Sequence, residues 1–230
     1  VPDFVEVHYL VRAPERHQVD DLYERLLKVA EGATLMTETT LEIDYLSGMY
    51  NPVRNDVVND VIYEKMLQVR PPRFNEEEQE FAKEMKKNMP PPNLHELKKT
   101  VPPDLLELAM QVYREPLCPV ISPPLGKGTV AGGSTDVADV SWNTPLGEFH
   151  TACFVLGSPG HSWYCVATSG MSIGHKGMIT AAQIMALTAL EFMSNPELVE
   201  KARKKFENTF KDKPYKTPFP KGHKPPFHSL

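Results

Sequence analysis

Trp163-Tyr-Cys-Val-Ala-Thr-Ser-Gly-Met-Ser-Ile-Gly-His-Lys-Gly-Met178 is the stretch whose reading decides the fold. Its opening residues, Trp163 to Thr168, are an apolar run of strand length. Gly170 and Gly174 mark a loop, and the spacing predicts a helix over 175–193. Strand, glycine loop and helix together are the repeating unit of an α/β sheet, where ligands gather beyond the carboxyl ends of strands.

Phe149–Leu156, just upstream, reads as a second buried strand, and a helix over 196–210 follows with Asn195 as cap and Pro196 at its first position. Further towards the N-terminus, residues 116–136 are rich in Gly and Pro. Helices are predicted over 103–113, over 75–88 behind the capping Asn75, and over Val57–Val69 behind Asn55-Asp56. The front piece, 1–53, reads as strand (4–12), helix (15–31, closed by Gly32) and a second strand within Thr34–Tyr45. The last fifteen residues are rich in Lys and Pro and read as extended or disordered. The expected architecture is an α/β chain with a small α+β piece in front.

Composition narrows the function. The chain has 230 residues, 41% hydrophobic and 24% charged, with net charge −5 and pI about 5.9. That balance offers no electrostatic pull towards nucleic acid or an anionic membrane. Cys118, Cys153 and Cys165 are odd in number and lack C-x-x-C spacing, which points to a reducing, cytoplasmic compartment. No signal peptide opens the chain, and the uncharged stretch Gly177–Leu190 reads as a buried helix rather than a membrane span. The chain starts on Val1, in mid-strand, so further sequence is expected upstream.

Four groups of residues invite a chemical reading. Gly126-Lys-Gly-Thr129 resembles a phosphate loop, but Ile121 stands where its first Gly is required. Gly170-Met-Ser-Ile-Gly174 matches G-x-S-x-G, which would make Ser172 a nucleophile if a strand precedes it. Only Asp212, His223 and His228 could then complete the triad. Glu76-Glu77-Glu78 opens a polar helix, where carboxylates favour the dipole and a solvated start is the simpler reading. His175 stands between a glycine-flanked loop and an apolar helix, and two further glycine loops accompany it, Gly132–Asp136 and Gly157–Trp163.

Gly-Gly-Ser-Thr-Asp-Val-Ala-Asp-Val-Ser-Trp (132–142), Leu-Gly-Ser-Pro-Gly-His-Ser-Trp (156–163) and Ile-Gly-His-Lys-Gly-Met (173–178) occur in that order. Together they resemble the aminoacylase/carboxypeptidase G metallopeptidases, in the branch that contains aminobenzoyl-glutamate hydrolase. Val-His-Tyr-Leu-Val-Arg-Ala-Pro (7–14) is similar to a strand of that family's inserted lid. The resemblance implies a partial lid and dimerisation domain of ferredoxin-like α+β form over 1–53. It implies the C-terminal half of a two-metal α/β catalytic domain over 54–214, and a tail over 215–230. It implies an amidohydrolase acting on an N-acyl-amino-acid or dipeptide-like amide, with Zn or Mn, and a homodimer or related heterodimer formed through the lid. His175 matches a metal ligand. Ser134, Thr135 and Asp136 match a loop bordering the substrate, Asn55 matches a position near the substrate carboxylate, and His161 is a neighbour. The general base and the remaining ligands are expected upstream of Val1, so this piece alone is expected to be inactive. An alternative is a non-catalytic oligomerisation fragment.

Overall fold

The structure, a computed structural model, describes residues 2–91, 95, 97, 98, 101–124, 130 and 133–224. Its helices are α1 (Arg16–Thr37), α2 (Asp56–Val69), α3 (Glu76–Lys87), a 3-10 turn (Pro103–Leu105) leading into α4 (Leu106–Val112), α5 (Val137–Ser141), α6 (Trp163–Ser169), α7 (Ser172–Ser194) and α8 (Pro196–Phe210). Among the described residues there is no strand. The expected α/β sheet, with a ferredoxin-like α+β lid in front, is therefore corrected to a helical architecture.

The reason differs from segment to segment. A strand exists only if a second one lies beside it to take its backbone hydrogen bonds. Residues 4–12 form no strand, and most of their apolar side chains face solvent, Leu10 at 90%. The run they would pair with is partly consumed by α1, which passes through Gly32 and stops at Glu38 in the left-handed region. Glycine permits a helix end but does not impose one, and Ala33-Thr-Leu-Met36 continues the helix readily. Residues 149–156 follow an irregular path, with Leu156 N–H donating to Pro116 O at 2.8 Å. Trp163–Thr168 is helical, because a short apolar run has no periodicity to separate strand from helix.

The chain divides into two compact units. The first takes Val1–Val53, Gly132–Thr144 and Phe210–Leu230. Asp139 is its tie: one carboxylate oxygen accepts from the Tyr50 N–H (3.1 Å) and the other from the Tyr215 hydroxyl (3.0 Å). Burial first, then that hydrogen bond, holds the Tyr215 phenol above its ordinary pKa. Trp142 packs on Tyr50 and Phe210, with its indole N–H donating to Asn51 O at 2.8 Å. Tyr215 and Lys216 are thus fastened to Asp139 and Tyr50.

The second unit takes Arg54–Ala131 and Pro145–Thr209. Ala82 and Met85 of α3, Leu117, Val155 and Ile173 of α7 form its core, with Phe74, Met89, Tyr164, Ala167 and Met171 packed around them. Each such side chain contributes roughly 1.5–3 kcal/mol when fully buried. α7 also packs along α2, where Val61, Ile62 and Ile184 are buried and Lys65 pairs with Glu191.

Candidate functional site

The turn that carries His175 is built by two glycines. Met171 is extended (φ −114°, ψ 179°) and Ser172 opens α7, so the His175 N–H makes the first helical hydrogen bond, to Met171 O at 3.0 Å. Gly174 and Gly177 lie three residues apart on the buried side of the helix. A Cβ on Gly174 would lie 2.5 Å from Ser169 O, and one on Gly177 would lie 2.7 Å from Ala152 O. Bare backbone lets α6 and the 152–153 segment press against the helix start. His175, between them in sequence, is turned outward and exposed.

Next to it, Lys176 reaches α3. Its ammonium donates to Glu78 Oε2 at 2.6 Å and lies 5.8 Å from the centre of the Phe74 ring. Glu78 is 3% exposed, which corrects the solvated reading of this carboxylate. Glu78 also closes a capping box with Asn75, accepting from the Asn75 N–H at 2.7 Å. Burial pushes its carboxyl up, but Lys176, the nearby Ser172 hydroxyl and the Asn75 N–H outweigh burial and hold it below the ordinary carboxylate range. Its Oε1 is buried and makes no formed hydrogen bond among the described residues. The signal for this residue was the pairing Asn75-x-x-Glu78, which marks a reciprocal cap.

The other candidates are placed as follows. Ser134, Thr135 and Asp136 belong to the first unit and are exposed in the approach to α5. The Thr135 hydroxyl lies 3.4 Å from Asp136 Oδ1 and accepts from the Val137 N–H at 3.3 Å. Gly132, Gly126–Thr129 and His228 lie outside the described residues. His161 sits in a turn in the left-handed region (φ 54°), exposed. Trp163–Ser169, ahead of Gly170, is helical, so the G-x-S-x-G stretch lacks the strand that a nucleophile elbow requires. No hydrogen bond or ion pair among the described residues links His175, His161 and Asn55 to one another.

Asn55 has a structural role that can be stated in bonds. Its Oδ1 caps α2 by accepting from the N–H groups of Val57 and Val58, and its Nδ2 donates to Ala202 O of α8 at 2.9 Å. It is 5% exposed. Asn55→Ala is expected to destabilise the chain by about 2 kcal/mol, combining a lost cap with the lost hydrogen bond from Asn55 to the Ala202 carbonyl of α8. A urea midpoint unchanged in that variant would contradict the role.

A cavity of about 270 Å³ lies elsewhere in the second unit, beside Lys86, Tyr113, Arg114 and Gly157. Its Lys86 ammonium is already engaged, donating to the carbonyls of Tyr113, Glu115 and Leu156. Burial lowers its pKa.

The resemblance implies a divalent metal, but among the described residues no three His, Cys, Asp or Glu side chains converge to hold one. A stable catalytic site needs about three protein ligands. His175 and its surroundings therefore do not fit a metal on their own.

No family model matches the chain, and no solved structure matches it. It is similar to one of the subunits of p-aminobenzoyl-glutamate hydrolase of Escherichia coli (strain K12), 33% identical over 224 residues. That alignment takes in 96% of this chain and 47% of the relative, so the chain spans about half the length of the relative it matches. The resemblance read from the three loop motifs is borne out.

Proposed function

We propose that this chain supplies His175, on a rigidly held helix start, to a hydrolase of p-aminobenzoyl-glutamate-like amides. The observation that carries the reading is 33% identity across nearly the whole chain to a protein named for that hydrolysis. Amide hydrolysis adds water across a C–N bond: the acyl carbon gains the oxygen and the amine leaves with a proton. It requires a positioned water, a group to accept its proton, and stabilisation of the developing charge on the carbonyl oxygen. The described residues offer an exposed imidazole to such a site, and the remaining roles fall to groups they do not gather.

Ser134, Thr135 and Asp136 are proposed to border the substrate. Their side chains are exposed, and the Thr135 hydroxyl accepts from the Val137 N–H. His161, held outward by its turn, is proposed as a second polar contact. The Asn55 amide is engaged in the α2 cap and with α8, so Asn55 is proposed to hold the start of α2 rather than to touch substrate. A Zn or Mn ion and a partner polypeptide, a copy or a relative of this chain, complete the proposal.

The test is a chimera in which this chain replaces the matched 224 residues of the E. coli relative. It should hydrolyse p-aminobenzoyl-glutamate and lose activity on chelation. His175→Ala should lower kcat/KM at least about a hundredfold, the scale of removing a group that acts directly on the reacting atoms. A folded chimera without activity, or an active one indifferent to His175→Ala, would sink the reading.

A further inference from the structure

Residues with a Cβ avoid positive φ, because the side chain then crowds the neighbouring peptide. Arg70, which ends α2, sits at φ 70° and ψ 165°, a region that is essentially glycine's own. Pro71 follows it, and a residue before proline normally stays at negative φ. Glycine would take this conformation freely, yet an arginine stands there. Backbone strain of this kind collects where a side chain has a task.

Arg70 opens Arg-Pro-Pro-Arg-Phe (70–74), and both arginines line a cavity of about 250 Å³ in the second unit. Phe74, Gln79, Leu117 and Cys118 line it with them. Leu117 is buried in the core and Phe74 packs against that core, so the apolar wall is fixed. The two prolines fix φ between the arginines, which reduces the freedom lost when both guanidiniums hold one ligand. Among the described residues neither guanidinium is in an ion pair, and no Asp or Glu lines the cavity. Glu76 and Glu77, close by in sequence, open α3 exposed and outside that lining.

Two cations without an anion favour negative charge, here against the net charge of −5 of the whole chain. Guanidinium forks match carboxylates in two parallel hydrogen bonds. The apolar wall disfavours a bare hydrated ion, which would lose water against carbon and gain no partner there. With no acid in the lining, a ligand that carries an ammonium group would leave it unpaired.

We propose that this cavity binds a small organic carboxylate that carries no ammonium group. Its carboxylate meets Arg70 and Arg73, its apolar body lies against Phe74 and Leu117, and the Gln79 amide offers one further hydrogen bond. The inference stands without the hydrolase reading.

Benzoate is the probe, titrated into the whole chain and followed by calorimetry. Saturable binding with a Kd of about 1 mM or tighter is expected. Inorganic phosphate, which lacks the body, and benzamide, which lacks the charge, should each bind at least about tenfold more weakly. Benzoate should also slow the alkylation of Cys118 by iodoacetamide severalfold, leaving Cys153 and Cys165, which lie outside the lining, at their own rates. Arg70→Gly should weaken benzoate about tenfold or more while its melting temperature stays at or above that of the parent, because glycine accepts this backbone. Arg73→Gln, at an exposed position, should weaken benzoate similarly and serves should the first variant not fold. Absence of saturable benzoate binding overturns the proposal. Phosphate binding as tightly as benzoate overturns it in favour of a site for simple anions, and benzamide doing so reduces it to an apolar cleft. Equal protection of all three cysteines, or full affinity in both arginine variants, places the ligand elsewhere and overturns it as well.

Discussion

Gly177→Ala is expected to destabilise the second unit by about 3 kcal/mol, the upper part of the range for overpacking a well-fitted core. The added Cβ would lie 2.5 Å from Cys153 Sγ, 2.7 Å from Ala152 O and 2.9 Å from Ala152 C. The sulfur could rotate aside, but the Ala152 backbone could not, so α7 would have to lift from the 152–153 segment. Alanine would gain about 1 kcal/mol in helix propensity, which is too little to offset the clash. Gly32→Ala in α1 supplies the contrast. Nothing lies within 4 Å of its added Cβ, so the same propensity gain acts alone and that variant should be stabilised. Urea midpoints of the two variants should move in opposite directions; a shared direction would show that the close approach at Gly177 is not what the helix start depends on.

Glu78→Gln is expected to cost about 2 kcal/mol at neutral pH. Removing one member of a buried ion pair costs roughly 3–5 kcal/mol, and the figure is reduced here because Lys176 is 37% exposed and regains some hydration. Glutamine keeps an oxygen for the Asn75 N–H, so the loss isolates the charge from the cap. Lys176→Met should be more damaging, because it leaves a carboxylate that is 3% exposed without its cation. The pH dependence has a definite sign. The folded carboxyl holds its proton less readily than the unfolded one, whose ordinary value is 4.5. The stability it contributes is therefore complete above that value and is lost as pH falls through the lower folded value. The variant should lack this acid limb. Curves of midpoint against pH that stay parallel for the two proteins would refute the assignment.

Much of the helical content was legible. Asn55 and Asn75 announced α2 and α3 as caps, and Asn195-Pro196 announced α8, because capping depends on a few adjacent residues. The apolar segments at 4–12, 149–156 and 163–168 were not legible. Their residue types suit a pleated surface, but β propensity reports what a segment packs against more than what it prefers. Without a neighbouring strand, two of them follow irregular paths and the third closes into α6.

The site divides in the same way. The order of the three loop motifs singled out His175 and the similarity to a hydrolase, since both depend on residue identity along the chain. Glu78 illustrates the opposite case: as one of three consecutive glutamates it looked solvated, and only the approach of Lys176 from 98 residues away buries and pairs it. Likewise, the sequence alone placed glycines on both sides of His175, but the Ala152 and Ser169 carbonyls that require them are set by packing. Caps, turns and motif order are local and can be read from neighbours in the chain. Which face of α7 is buried and which charge has a partner depend on contacts between distant segments, and those the tertiary structure decided.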